Sequence, residues 1–201
     1  ELKLPAENLV VSVYKEDREA KDIWLQEIKI DPQRLVALGD KSNFWPSEAK
    51  EKGPNGPCGP CSEIFFDYGP NLHCHNKSCD PSCECGRFSE IWNLVFTQFN
   101  RKEGGILEPL PNKNIDTGMG LERLTAVVQG KRSNFETDLF IPIIKAIDHE
   151  LEKEKFVLDK HQKCIIADHI RAIVFAISDG VMPSNKERGF VIKRLITDIT
   201  D

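Results

Sequence analysis

The sequence lacks the features that would direct it into or across a membrane. No apolar run approaches the ~18–20 residues needed to cross a bilayer, and the polar opening stretch 1–5 does not resemble a signal peptide. An excess of positive charge is missing too, because the formal net charge is −5. Any surface for nucleic acid must therefore be local, and we expect no membrane partner.

Apolar side chains are not scarce, so the chain should fold. Of its 201 residues, 40% are hydrophobic and 29% are charged, which is outside the composition of disordered proteins. This length supports one substantial core with room for a small second unit.

The cysteines are unevenly distributed. Six of the seven lie between Cys58 and Cys85, and Cys164 stands alone. An odd, clustered set with no secretory signal predicts a reducing, cytoplasmic location, where close cysteines more often hold a metal than form disulfides.

Four of the cysteines have a spacing that suits a metal. Cys74, Cys79, Cys83 and Cys85 fall within one short segment, and four thiolates can close a tetrahedral Zn²⁺ shell with no open position. We expect a structural zinc site in an insertion over about 69–87, with free or disulfide-prone thiols as the alternative.

Hydrophobic periodicity predicts a mixed part followed by a helical part. The predicted strands are 9–14, 35–38, 63–67, a central 91–99 and a segment returning to about 116; the predicted helices are 16–28, one from 120, 139–151, 162–178 and 186–199. Residues 40–61, rich in Gly, Pro and Ser, are expected to be irregular. The fold class is α+β, with domains over 1–135 and 136–201.

The strongest local motif runs from residue 115 to residue 123. A strand delivers Asp116, Gly118 and Gly120 allow a ligand close to the backbone, and a helix then begins with Arg123 in its first turn. Arg123 could pair with a phosphate. The alternative is a tight turn with a solvated arginine, and spacing alone favours neither.

This motif resembles motif 3 of the class II aminoacyl-tRNA synthetases. Further segments are similar to the alanine-specific members of that class and occur in the same order. They are Asn43-Phe44-Trp45, 56–64, 90–96, Asp116-Thr117 and 179–185. The resemblance implies an antiparallel sheet with flanking helices, followed by a helical domain that recognises tRNA. It also implies ATP-dependent activation of L-alanine to alanyl-adenylate and transfer to the 3′ end of tRNA(Ala).

The resemblance also assigns roles to residues. Gly118, Gly120 and Arg123 would bind ATP, with Arg123 on the γ-phosphate and Mg²⁺ accompanying the nucleotide; Asp116 would receive the ammonium group of alanine. The same resemblance places Trp45, Asn93, Val95 and Gly118 in the alanine pocket. For Trp45 and Val95 the alternative is core packing. Glu63 and Glu90 are candidate Mg²⁺-binding or hydrogen-bonding groups, and the alternative for both is a sheet-edge or salt-bridge role.

A basic stretch in the helical part is the candidate tRNA contact. By the resemblance, Asn185 reads the acceptor stem of tRNA(Ala). Its basic neighbours, which suit phosphate contacts, are Lys186, Arg188, Lys193 and Arg194. The alternatives are a helix cap for Asn185 and a solvated charged face for the others.

Motifs 1 and 2 of the class are not found in the chain. We interpret it as an internal fragment whose partners include the remaining domains of a parent chain, and which cannot form the adenylate alone. Cys58 and Cys61 would then lie in an active-site loop as non-ligands. The alternative is a non-catalytic RNA-binding or zinc-stabilised module derived from a synthetase.

Overall fold

The computed structural model describes residues 2–70 and 79–200. The chain divides into two compact units, Glu1–Arg132 and Ser133–Asp201. The predicted Cys74 lies outside the described residues. No helix in the described ranges is long and apolar enough to span a bilayer.

The first unit is built on a six-stranded mixed sheet of order β2-β1-β4-β5-β6, with β3 paired to β4. The strands are β1 Leu9–Tyr14, β2 Leu35–Leu38, β3 Phe44–Trp45, β4 Gly56–Asp67, β5 Phe88–Arg101 and β6 Leu107–Met119. Among the described strands only β1 and β2 run parallel; the other pairs are antiparallel. The predicted α+β class with an antiparallel sheet is therefore confirmed, apart from one parallel pair at the edge.

Short helices accompany this sheet. They are α1 Arg18–Asp22, which continues as a π-helical turn over Ile23–Glu27, α2 Asp40–Asn43 and α3 Leu121–Val128. The alternating pattern of β1 explains how α1 packs. Val11 and Val13 point to one face and form a core with Ala20, while Ser12 points to the other face.

The expectation of an irregular segment over 40–61 is only partly correct, because residues 46–55 contain no helix or strand but the two ends of the segment do. The segment contains α2 and β3, and β4 begins at Gly56. The reason lies at Gly59, where an added Cβ would come within 2.0 Å of the carbonyl oxygen of Phe96. Glycine thus permits close contact with β5, and a bulge between Cys58 and Cys61 accommodates the prolines.

The second unit is helical, with α4 Ile141–Glu154, α5 Lys160–Ser178 and α6 Glu187–Thr200. A capping box starts α5: Asp159 Oδ1 accepts from the Gln162 N–H at 2.8 Å, and Gln162 Oε1 accepts from the Asp159 N–H at 2.9 Å. The three helices predicted by periodicity over 139–199 are confirmed, with small shifts at their ends.

Candidate functional site

Four of the predicted site residues share one face of the sheet. In the β5–β6 ladder Asn93 is opposite Gly118 and Val95 is opposite Asp116. Directly opposed residues point to the same side, and so do residues two apart. We call this side the site face.

The site face continues across β4 and β1. Glu63 is opposite both Asn93 and Ser12, and Cys61 is opposite Val95. Its floor is buried, since Val95 is 8% exposed and Cys61 is 2% exposed. Asp116 and Gly118 at the β6 edge are exposed.

Gly118 leaves space above the sheet. No described atom lies within 4 Å of a Cβ built at this position. The protein itself therefore does not require glycine here for packing, and the free space is available to a ligand that approaches the backbone.

A chain of polar side chains, three of them buried and Asn93 partly buried, crosses the site face. Asn43 Nδ2 donates to Ser12 Oγ at 2.8 Å, and Ser12 Oγ donates to Glu63 Oε2 at 3.3 Å. From the other side, Asn93 Nδ2 donates to Glu63 Oε1 at 3.2 Å. We call these four residues the amide–carboxylate chain. Of the alternatives for Glu63, the structure has the hydrogen-bonding one.

This chain of contacts was not predicted from the sequence. A signal was present, because Ser12 is a single polar residue within an otherwise apolar strand. Such a residue needs a buried partner, but its partner Glu63 is 51 residues away along the sequence.

Burial shifts the pKa of two groups on this face. Desolvation and, to a smaller extent, the nearby charge of Glu90 raise the pKa of Glu63 to about 7, against the lowering effects of the Ser12 hydrogen bond and of Arg123. Desolvation also raises the pKa of the Cys61 thiol to about 12. Cys61 is thus a neutral thiol. Cys58 and Cys61 both lie buried in strand β4, so their predicted position in a loop is wrong.

Arg123 reaches back to the same face from the first turn of α3. Its Nη1 donates to Glu90 Oε2 at 3.1 Å and to the Glu90 carbonyl at 3.2 Å. The Arg123 side chain is 52% exposed. A guanidinium has five N–H donors, so this ion pair orients Arg123 and leaves donors for an anionic ligand.

Trp45 is placed differently from the other pocket residues. It lies on β3 opposite Gly59, and β4 separates it from β5. Trp45 is 47% exposed, which argues against the alternative that it is a core residue. Val95 is buried, as a core residue would be.

The cysteine cluster lies at the end of the sheet. The sulfurs of Cys79, Cys83 and Cys85 lie within 4.8 Å of one another, and those of Cys79 and Cys85 are 3.5 Å apart. Tetrahedral Zn²⁺ with Zn–S bonds of ~2.3 Å requires sulfurs ~3.8 Å apart. A bidentate pair from Arg87 to Asp67, with both contacts at 2.7 Å, joins the segment to β4. The three thiols can therefore supply three ligands of one metal ion.

The candidate RNA contacts lie at the start of α6 and along it. All of them are exposed: Asn185, Lys186, Arg188, Lys193 and Arg194. Lys193 Nζ donates to Asn185 Oδ1 at 2.7 Å, and Arg194 lies 3.9 Å from Asp198. Ser184 Oγ accepts from the Lys186 N–H at 3.3 Å, just before α6 begins at Glu187. Asn185 therefore keeps its side-chain NH₂ group available.

Comparison with known proteins gives concordant results. Among similar proteins, each named alanine-tRNA ligase, that of Desulfosudis oleivorans is 49% identical over 196 residues, 96% of this chain. Those of Petrotoga mobilis and Thermotoga maritima are 50% identical over 200 residues, 98% of this chain, and 51% identical over 199 residues, 97% of this chain. The chain spans 22% of the length of each of these relatives.

A family model described as tRNA synthetases class II (A) matches residues 1–198. The match includes every strand of the sheet and nearly all of the three helices that follow. The chain therefore belongs to the class II tRNA synthetases.

Proposed function

We propose that this chain forms part of the aminoacylation site of an alanine-activating synthetase, a ligase of cytoplasmic protein biosynthesis. The observation that carries the proposal is the β5–β6 register, which sets Asn93 and Val95 opposite Gly118 and Asp116. The alanine-tRNA ligases to which the chain is similar support this choice of amino acid.

In this proposal the site face binds alanine. The Asp116 carboxylate accepts hydrogen bonds from the ammonium group, and Val95 forms an apolar floor for the methyl group. Trp45 forms a wall of the same pocket. A methyl group contributes only ~1–3 kcal/mol of discrimination, so the pocket excludes larger side chains better than it rejects glycine.

ATP binds over Gly118 and Gly120, with Arg123 on the γ-phosphate. Arg123 suits this position because it is permanently charged and already oriented by Glu90. The alanine carboxylate attacks the α-phosphorus in line, the bond from that phosphorus to the α,β-bridging oxygen breaks, and pyrophosphate leaves. The residues of this chain contribute by positioning the reactants and by stabilising charge.

Mg²⁺ would accompany ATP and neutralise charge on its phosphates. Glu90 fits this role best on the site face, because its carboxylate is 33% exposed and carboxylate oxygens suit a hard cation. Both oxygens of Glu63, in contrast, already accept hydrogen bonds.

The cysteine cluster binds structural zinc in this proposal. Cys79, Cys83 and Cys85 have suitable sulfur separations, and Cys74 would supply the fourth thiolate. Four cysteine ligands leave no open position, so this ion would stabilise the segment and take no part in the reaction.

The second unit would contribute the start of a helical domain that recognises the acceptor stem of tRNA(Ala). Asn185 presents its NH₂ donors to base edges because Lys193 occupies its oxygen. Lys186, Arg188 and Arg194 would contact phosphates. The first unit would be the C-terminal part of the catalytic domain.

A chimera tests the proposed activity. This chain replaces the matching segment of the Thermotoga maritima relative, and alanine-dependent exchange of pyrophosphate into ATP is measured with glycine and serine as comparison substrates. We expect exchange that is fastest with alanine, and loss of exchange in the Asp116→Ala chimera. The unmodified relative is the positive control, and thermal melting verifies that each chimera is folded.

A folded chimera with no alanine-dependent exchange would contradict the proposal. If the isolated chain still bound tRNA(Ala) in that case, a non-catalytic RNA-binding module would be favoured. The isolated chain itself is expected to show no exchange, because motif 2, which would hold the α-phosphate, is not found in it.

A further inference from the structure

We propose that Glu63 is a positioning residue for the amino-acid pocket, holding the side-chain amide of Asn93 so that Oδ1 faces the ammonium group of the substrate. This inference rests on the proposed function, since it assumes that Asn93 lines the alanine pocket. In this role the buried Glu63 carboxylate acts through Asn93 and does not contact the substrate.

The direction of every hydrogen bond in the amide–carboxylate chain is determined by its members. Ser12 Oγ accepts from Asn43 and uses its own hydrogen toward Glu63 Oε2. As a carboxylate, Glu63 Oε1 can only accept, and so the group facing it on Asn93 must be the NH₂. A flipped Asn93 would set two acceptor oxygens against each other, which is repulsive.

The opposite atom of the amide is consequently available as an acceptor. Asn93 Oδ1 is buried and has no hydrogen-bond partner among the described residues. Leaving a buried acceptor unsatisfied is unfavourable, and a substrate that supplies an N–H removes this penalty.

The neighbours of Asn93 indicate which kind of donor would bind. Asn93 and Asp116 are diagonal partners on the site face, and diagonal neighbours lie ~7–8 Å apart. A small group placed between them meets an amide oxygen and a carboxylate, both acceptors. An ammonium group, which has only donors, fits that pair.

The arrangement does not depend on the protonation of Glu63. If Glu63 gains a proton on Oε2, the O–H can donate to Ser12 Oγ while Oε1 still accepts from Asn93. A glutamine can do the same, with Nε2 toward Ser12 and Oε1 toward Asn93. Glu63→Gln is therefore the conservative variant, and Glu63→Met, of similar length, removes the acceptor.

NMR of the ¹⁵N-labelled chain tests the orientation without any substrate. The side-chain NH₂ of Asn93 is assigned by its loss in Asn93→Ala. In the wild-type chain we expect one of its protons to be shifted downfield and to exchange slowly with solvent. Ordinary shifts with fast exchange would overturn the inference, and this measurement needs no variant of Glu63.

Kinetics in the chimera described above test the effect on substrate. We expect Glu63→Met to raise the KM for alanine by roughly tenfold, with a much smaller change in kcat, and Glu63→Gln to stay within about threefold of the parent, since the loss of one hydrogen bond is of this order. Asn93→Ala should raise the same KM, and the double variant Glu63→Met/Asn93→Ala should raise it no further.

The two hypotheses fail in different ways. If Asn93→Ala leaves the KM for alanine unchanged, Asn93 is not in the pocket and the proposed function of that residue fails. If Asn93→Ala raises the KM but Glu63→Met does not, or adds to it independently, only the positioning role of Glu63 fails.

Discussion

Replacing Glu63 with glutamine should change how the stability of the first unit depends on pH. Burial raises the pKa of Glu63 from 4.5 to about 7 in the folded chain. The folded state therefore holds this proton over a pH range in which the unfolded state has released it. Below about pH 4.5 Glu63 is protonated in both states, so its burial does not lower the unfolding free energy. As the pH rises from 4.5 to about 7, the unfolding free energy falls.

The size of the effect follows from the two pKa values. Because Glu63 is only 8% exposed, solvent screening is small. Between pH 5 and pH 8 the wild-type chain should lose about 2 to 3 kcal/mol of unfolding free energy from this group. Glutamine does not titrate, so Glu63→Gln should lack that loss.

Urea denaturation at pH 5 and pH 8 measures the difference. All three tryptophans, Trp24, Trp45 and Trp92, lie in the first unit, so their fluorescence reports its unfolding. The exposed Glu27→Gln serves as the matched control. All other groups titrate alike in the two chains. The reasoning is therefore refuted if the difference in unfolding free energy between wild type and Glu63→Gln is the same at pH 5 and at pH 8.

Four further outcomes are expected. Gly59→Ala should lower the unfolding free energy measured in urea by ~1–3 kcal/mol or more, because its Cβ would meet a β5 carbonyl, whereas Gly39→Ala, with no described atom within 4 Å, should change it little. Reduced protein should contain about one equivalent of zinc, lost in Cys83→Ser; under half an equivalent in the wild type, by elemental analysis, would contradict the site. In the chimera, Arg123→Ala should raise the KM for ATP at least ~10-fold, and an unchanged KM would exclude a phosphate contact. Asn185→Ala should weaken binding of tRNA(Ala) in gel shifts without changing binding of a tRNA with an altered acceptor stem; equal losses would contradict base reading.

Local pattern was sufficient for much of the fold. Strands 9–14 and 35–38 and the three helices of the second unit follow from periodicity, because burial of one face imposes the repeat of the element on the sequence. The family was predicted from the resemblance of several ordered segments, among them the one from Asp116 to Arg123, because the spacing of glycines and charged residues alone did not separate a ligand site from a tight turn.

Tertiary contacts decided the rest. The start of β4 at Gly56 was not predicted, because glycine and proline usually mark a loop, and only the close approach of Gly59 to β5 makes a strand there. The same holds for the parallel pairing of β1 with β2, since the sequence of a short apolar strand does not state its direction.

The amide–carboxylate chain shows this division most clearly. The sequence by itself determined that Ser12 and Glu63 would need polar partners if buried, and that Asn93 and Asp116 belong to strands of a class II sheet. Strand register determines the partners. It brings Ser12 and Asn93 within hydrogen-bond distance of Glu63, from which they are separated by 51 and 30 positions in the sequence. Register depends on the packing of the whole sheet, so only the tertiary structure turns these separate polar residues into one site.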